Sequence, residues 1–191
     1  MRVIAGKYRS RQLRSLPGLD LRPTSDRLRE TLFNVLTGGN PTALERSVWL
    51  DLYAGTGAVG IEAMSRGATM VHFVESSARA AELIKQNLDS LGIGPGFQIL
   101  KQDSIRFLRG LGPSSARADF VFLDPPYDIE EAYRQSLQAL SRSPVLKTET
   151  IVVAEHQKKF DPGEAFESLR RYRKLKQGDA ALSFYRLDLS L

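Results

Sequence analysis

Short apolar runs alternate with amphipathic stretches from Val48 onward, and this alternation predicts repeated strand–helix units. Val48–Leu52, Met70–Val74, Phe97–Lys101, Ala118–Leu123 and Thr150–Glu155 read as strands. Between them, helical spacing predicts Val59–Ser65, a helix with Ala80, Leu83, Ile84, Asn87, Leu88 and Leu91 along one side, Ser104–Leu111, and Glu131–Leu140. Such an order specifies an α/β fold, a mostly parallel sheet with helices on both faces. The end of the chain differs. Arg171–Lys176 and Ala181–Asp188 flank Gly178-Asp179 and predict an antiparallel hairpin.

Upstream of Val48 the pattern is of another kind. Arg2–Ala5 and Gln12–Leu16 read as short extended pieces, and Pro17-Gly18 as a turn. Leu28, Leu32, Val35 and Leu36 then recur at helical spacing, with Ser25 or Thr24 as N-cap and Gly38-Gly39-Asn40-Pro41 as the stop. This predicts two parts: a basic hairpin and helix at 1–41, and an α/β domain at 42–191. Phe33, Trp49 and Tyr185 read as core residues.

Charge sharpens that division. The 191 residues carry a net charge of +5. Residues 1–29 hold eight basic and two acidic side chains, a net of +6, and the remainder is close to neutral. Segregated positive charge points to a polyanion, with nucleic acid ahead of a membrane surface. Tyr8 among Arg2, Lys7, Arg9, Arg11, Arg22 and Arg27 offers stacking together with phosphate contacts. Lys158 and Lys159 with His156, and the basic run Arg170–Lys176, can extend such a surface or be a solvated strand end and a charged edge strand. There is no cysteine, which excludes disulfides and thiolate chemistry and fits a reducing cytoplasm. The two histidines, His72 and His156, are far apart, and no metal site is expected. No apolar run approaches the roughly 20 residues that span a bilayer.

Two motifs carry chemistry. The first strand runs into Asp51-Leu52-Tyr53-Ala54-Gly55-Thr56-Gly57-Ala58-Val59-Gly60. Glycines at 55, 57 and 60 suit a strand–turn–helix corner that brings a nucleotide-like ligand against bare backbone. Glu75 ends the second strand, where a carboxylate can take both ribose hydroxyls. Asp103 ends the third beside Gln102, where it can meet an adenine amine. Either acid can instead cap the next helix. A dinucleotide and S-adenosylmethionine compete for this site, and Asp51, an anion suited to an amino group, favours the latter.

The second motif is Asp124-Pro125-Pro126-Tyr127, after the apolar run Phe120–Leu123. Two prolines end the strand and hold Asp124 extended. The result is a rigid corner with one carboxylate, two backbone carbonyls expected to lack turn hydrogen bonds, and one aromatic ring. An exocyclic amine is a poor nucleophile, because its lone pair is delocalised into the base. Asp124 and the Pro125 carbonyl can hold its protons while Tyr127 stacks on the ring.

In order, Asp51–Gly60, Glu75, Asp103 and Asp124–Tyr127 resemble the motifs of class I S-adenosylmethionine-dependent methyltransferases acting on exocyclic amines. Arg2–Gly6, Arg22–Asn34 and Gly178–Tyr185 narrow the resemblance to the RsmD family, departing from its pattern at Tyr53, Thr56 and Ser76-Ser77. The resemblance implies a Rossmann-like three-layer sandwich whose seven-stranded mixed sheet has an antiparallel last strand. It implies methylation of N2 of a guanine in 16S ribosomal RNA by a cytoplasmic monomer, with S-adenosylhomocysteine as product and no metal. The cofactor set is then Asp51, Tyr53, Ala54, Gly55, Thr56, Gly57, Gly60, Glu75, Ser76, Gln102, Asp103 and Asp124. The catalytic set is Asp124, Pro125, Pro126 and Tyr127. Competing readings are a DNA adenine-N6 or cytosine-N4 methyltransferase, a nucleotide-dependent oxidoreductase and a non-catalytic RNA-binding module.

Overall fold

A computed structural model describes residues 1–15 and 25–188. Leu16, the Pro17-Gly18 turn, Arg22, Pro23 and Thr24 lie outside the described residues. The chain forms two compact units, Met1–Gln102 and Asp103–Leu191.

The first unit holds α1 (Asp26–Thr37), β1 (Val48–Leu52), α2 (Ala58–Ser65), β2 (Met70–Val74), α3 (Ala78–Ser90) and β3 (Phe97–Leu100). Ser25 caps α1, its hydroxyl accepting from Leu28 N at 3.1 Å. Leu28, Leu32 and Leu36 of the expected stripe are buried, and Arg29 and Phe33 are buried beside them. Phe33 stacks on Trp49 of β1, ring centroids 5.3 Å apart, and Arg66 lies over its ring at 4.8 Å. This contact fastens α1 to the first strand, and both aromatics are core as expected. The strands are parallel, in the order β3-β2-β1, with Asp51 opposite Phe73.

The N-terminal pieces pair through Arg2 and Gln12. Val3 and Leu13 point inward, whereas Arg2, Lys7, Arg9, Arg11 and Arg14 are exposed. The hairpin is strapped down through its backbone. Ile4 N and Ala5 N donate to the two carboxylate oxygens of Glu62 on α2, at 2.7 and 3.0 Å. Tyr8 N donates to Ser65 Oγ at 3.0 Å.

The second unit holds α4 (Ser104–Arg109), β4 (Ala118–Leu123), α5 (Glu130–Ser141), β5 (Leu146–Gln157), β6 (Ala165–Phe166), β7 (Leu169–Gln177) and β8 (Ala180–Leu187). β4 is parallel to β5, and β8 is antiparallel to both β5 and β7. Tyr185 on β8 is buried as expected. The described residues contain eight strands where seven were expected. The addition is β6, two residues long and too short to show a period. β5 also starts four residues earlier than the pattern implied, because Leu146-Lys147-Thr148-Glu149 carries no apolar run. Thr150 Oγ1 donates to Ala118 O at 2.6 Å and accepts from Lys147 N at 2.9 Å, so a hydroxyl bridges the register shift between β4 and β5.

Gly60 sets how closely α2 lies on β2. A Cβ built there falls 2.3 Å from Phe73 Cε1 and 2.8 Å from Val71 Cγ1. Gly60→Ala is expected to cost about 1–3 kcal/mol through overpacking, or about 2–4 °C in Tm per kcal/mol. Gly112→Ala, with nothing within 4 Å of the added Cβ, is expected to leave Tm within about 2 °C of the parent, since surface changes cost little. Thermal denaturation of both variants checks the contrast.

Candidate active site

In the first unit, β1 delivers Asp51 and then turns sharply. Tyr53, Gly55 and Gly57 all have positive φ, at 60°, 56° and 76°. For Tyr53 this left-handed conformation is costly, and such strain concentrates at functional sites. Two buried carboxylates hold the turn. Glu75 at the end of β2 accepts from Gly55 N at 2.8 Å through Oε2 and from Ser77 N at 2.7 Å through Oε1. Asp51 Oδ2 accepts from Gly60 N at 2.9 Å. Burial pushes the Asp51 carboxyl up to about 8, against the Gly60 bond that lowers it and with the Glu75 charge that raises it further. An added ammonium reverses this balance, since a nearby cation favours the ionised carboxylate. The second lone pairs of both carboxylates suit an amino group and ribose hydroxyls, so the residues present fit an aminoacyl nucleoside.

Asp51, Tyr53, Ala54, Gly55, Thr56, Gly57, Gly60 and Glu75 are thus brought together, with exposed Ser76 following Glu75. Gln102, half-buried, closes the unit just after β3. Asp103 belongs to the second unit and caps α4, accepting from Arg106 N at 2.8 Å.

Two residues here escaped the sequence reading. Asn87 of α3, fully buried, donates to Thr56 O at 3.0 Å and to Arg14 O at 3.2 Å, and accepts from Arg14 N at 2.8 Å. It joins the glycine loop to the basic hairpin. Glu62 does similar work from α2. The signal was present: each is a polar side chain on an otherwise apolar buried face. Arg2 and Arg27 are exposed, Arg2 also lying 3.6 Å from Asp26. Arg29, counted within the N-terminal charge, is fully buried, donating to Asp26 at 2.8 Å and to the Arg2 carbonyl.

In the second unit, β4 ends in the Asp124–Tyr127 corner. Asp124 and Tyr127 are half-buried, Pro125 buried and Pro126 exposed. The proline carbonyls are not bare, which corrects the expectation from sequence. Pro126 O accepts from Ile129 N at 3.0 Å, starting the turn into α5. Pro125 O accepts from the Tyr133 hydroxyl of α5 at 3.1 Å. A carbonyl has two lone pairs, so Pro125 O can still accept from an amine. The Tyr127 hydroxyl donates to the buried Glu155 of β5 at 3.0 Å. The corner is therefore braced from both α5 and β5.

His156 is neither a surface contact nor a solvated strand end. It is fully buried, with Nδ1 2.8 Å from Gln157 O and Nε2 2.9 Å from Ser183 Oγ. Burial lowers its pKa.

Residues 1–186 match the family model described as "Conserved hypothetical protein 95". The chain belongs to this family, the RsmD methyltransferases. A Haemophilus influenzae relative named "Ribosomal RNA small subunit methyltransferase D" is 36% identical over 159 residues, 83% of this chain and 79% of that one. Among solved structures, Escherichia coli yhhF superposes with a TM-score of 0.84 at 26% identity, covering 98% of each chain. Haemophilus influenzae HI0767 gives 0.80 at 31% identity over 97% of each. The fold is that of class I methyltransferases. Among the described residues of this RsmD-family chain, no helix is long and apolar enough to cross a membrane, and no group of three His, Asp or Glu side chains is placed to hold a metal ion.

Two predictions follow from the two polar side chains that hold the loop. With its folded-state pKa near 8 against 3.8 for the ordinary carboxyl, Asp51 retains a proton that the unfolded chain gives up. Its contribution to stability is full below about pH 4 and is lost as pH rises through 8. Asp51→Asn is therefore expected to raise Tm at pH 8.5 by several degrees, with the gap closing toward pH 4; a pH series of melting curves reads it. Asn87→Ala strands the buried Thr56 carbonyl together with the Arg14 carbonyl and amide, and is expected to cost about 1–3 kcal/mol. Hydrogen exchange should show faster exchange at the Arg14 amide.

Proposed function

We propose that this protein methylates the exocyclic N2 amine of a guanine in 16S ribosomal RNA, using S-adenosylmethionine. The carrying observation is the Asp124–Tyr127 corner, a braced carboxylate and aromatic pair at the end of a buried strand. Family membership and the name of the Haemophilus influenzae relative support the ribosomal substrate.

In this reading, Asp51 and the loop Tyr53–Gly57 with Gly60 hold the amino-acid part of the cofactor. Glu75 and Ser76 take the ribose, and Gln102 and Asp103 the adenine. S-adenosylmethionine, when bound, supplies a methyl group on a sulfonium centre. The target guanine swings out of its stack, and Tyr127 stacks on it with its ring orientation set by Glu155. Asp124 and Pro125 O accept the two N2 protons and aim the nitrogen. The bound cofactor would supply the methyl group to the nitrogen and leave as S-adenosylhomocysteine; Asp124 would face the positive charge that grows on the nitrogen, and the released proton would pass to Asp124 or to solvent. No covalent enzyme intermediate is needed. Positioning of this kind can supply roughly 7–11 kcal/mol. The hairpin and helix of residues 1–41 serve as the RNA-binding extension to the 42–191 methyltransferase domain. Arg2, Lys7, Arg9, Arg11 and Arg27 contact phosphates there, with Tyr8 under a base and Arg22 beside them. The protein works in the cytoplasm as a monomer.

Asp124→Ala is expected to lower turnover at least about 100-fold, as for loss of an oriented electrostatic group, while RNA still binds. The assay offers labelled cofactor with naked RNA, partly assembled and complete small subunits, and duplex DNA, and then maps the methyl group. Methylation of DNA alone identifies a DNA amino-methyltransferase. Unchanged function in Asp124→Ala identifies a binding module. A melting shift with NAD but not with S-adenosylhomocysteine identifies an oxidoreductase.

A further inference from the structure

We infer that Lys158, Lys159 and Lys176 form a second grip on RNA phosphates, at the corner-bearing end of the second unit's sheet. The inference rests on the RNA methyltransferase reading above and extends it to the backbone flanking the target nucleotide.

Strand register places the three lysines. Leu123, just before the corner, pairs with Ala154 of β5. Three residues further along, Gln157 of β5 pairs with Ala180 of β8, and Ala180 pairs with Gln177 of β7. The ends of β5, β8 and β7 therefore lie abreast, one strand away from the corner. At roughly 5 Å per strand, the span from β4 to β7 is about 15 Å, the reach of a few nucleotides. Lys158 and Lys159 follow β5, and Lys176 is the penultimate residue of β7. All three are exposed.

The turn that carries them is held. Lys158 N donates to Asp179 O at 2.8 Å, and Phe160 N to Gln157 O at 3.1 Å. The Phe160 ring lies 5.0 Å from that of Tyr133, whose hydroxyl braces Pro125 O. The lysine turn and the amine corner thus share an aromatic support.

Several other cations near this end of the unit or along its strands are committed to acids. Arg171 and Lys174 share Asp161, Arg170 faces Asp188, Arg142 pairs with Glu167, and Arg134 with Glu131. None of the ion pairs found among the described residues uses Lys158, Lys159 or Lys176. Protection of an edge strand can account for Lys176. It does not account for Lys158 and Lys159, which lie in a turn beyond the strand. Asp179, whose carbonyl accepts from Lys158 N, is an exposed turn residue. Exposed lysines without acidic partners beside a base-binding corner match phosphate chemistry, which positions a strand without reading its sequence.

The test measures RNA affinity against salt for the full chain, wild type and Lys158→Gln/Lys159→Gln/Lys176→Gln. Each lost contact is expected to lower the log–log salt slope by about 0.7–0.9, so the triple variant should lose about 2–3. KM for RNA should rise several-fold, with kcat, Tm and S-adenosylhomocysteine affinity unchanged. The corresponding triple Arg variant should restore the slope. An unchanged slope and KM in the Gln variant overturns the inference, as does a loss that Arg fails to restore. If wild-type protein methylates RNA and Asp124→Ala does not, such a result sinks the second grip alone; if wild type neither binds nor methylates RNA, the functional reading itself falls.

Discussion

A carboxylate buried among apolar strands is tolerable only where amides or cations face it. In the first unit that constraint builds the site. Asp51 and Glu75 sit at the ends of neighbouring parallel strands; Glu75 is met by an amide of the turn between β1 and α2, and Asp51 by one in the first turn of α2. Gly60 N reaches Asp51 and Gly55 N reaches Glu75. The turn cannot relax outward without leaving these oxygens unpaired, so it keeps the left-handed Tyr53 that it would otherwise avoid. Asp51 remains the costly member, pushed up to about 8 by its burial. In the proposed reaction the ammonium of the cofactor would offset that cost, since a nearby cation favours the ionised carboxylate.

The corner in the second unit obeys a different rule. Proline removes the amide donors that would ordinarily tie the backbone down, so rigidity has to come from side chains. Tyr133 supplies one bond to the Pro125 carbonyl, and Glu155 fixes the far end of Tyr127. Tyr133 in turn packs on Phe160 and edge-on against His156. The residues that touch no base in the proposed reaction therefore decide how well those that do are aimed.

Charge at the N-terminus divides in the same way. Arg29 goes inside, where Asp26 and the Arg2 carbonyl meet it, and strengthens the attachment of α1. Lys7, Arg9, Arg11 and Arg14 stay outside on a hairpin whose own amides are bound by Glu62, Ser65 and Asn87. A basic segment is free to meet a polyanion without dissolving only if its backbone is fastened elsewhere, and here the fastening runs to α2, which opens from the glycine loop, and to α3.

Much of this was legible in the chain alone. Alternating apolar and amphipathic runs marked the five long central strands and five helices to within a few residues, because periodicity is a local property. The glycine spacing after Asp51 and the Asp-Pro-Pro-Tyr corner were equally visible, since backbone chemistry at a turn depends on adjacent residues. Local pattern failed at β6, at the start of β5 and at the proline carbonyls. A two-residue strand has no period, Leu146–Glu149 lacks the apolar run that marked the rest of β5, and Pro125 gains its donor from another element. Asn87 and Glu62 show the boundary most clearly. The sequence reading put Asn87 on the apolar side of its helix and did not single out Glu62, and their partners lie 73 and 58 positions away. Pairing between groups so distant is settled only when packing excludes water from both, and that is a property of the folded chain.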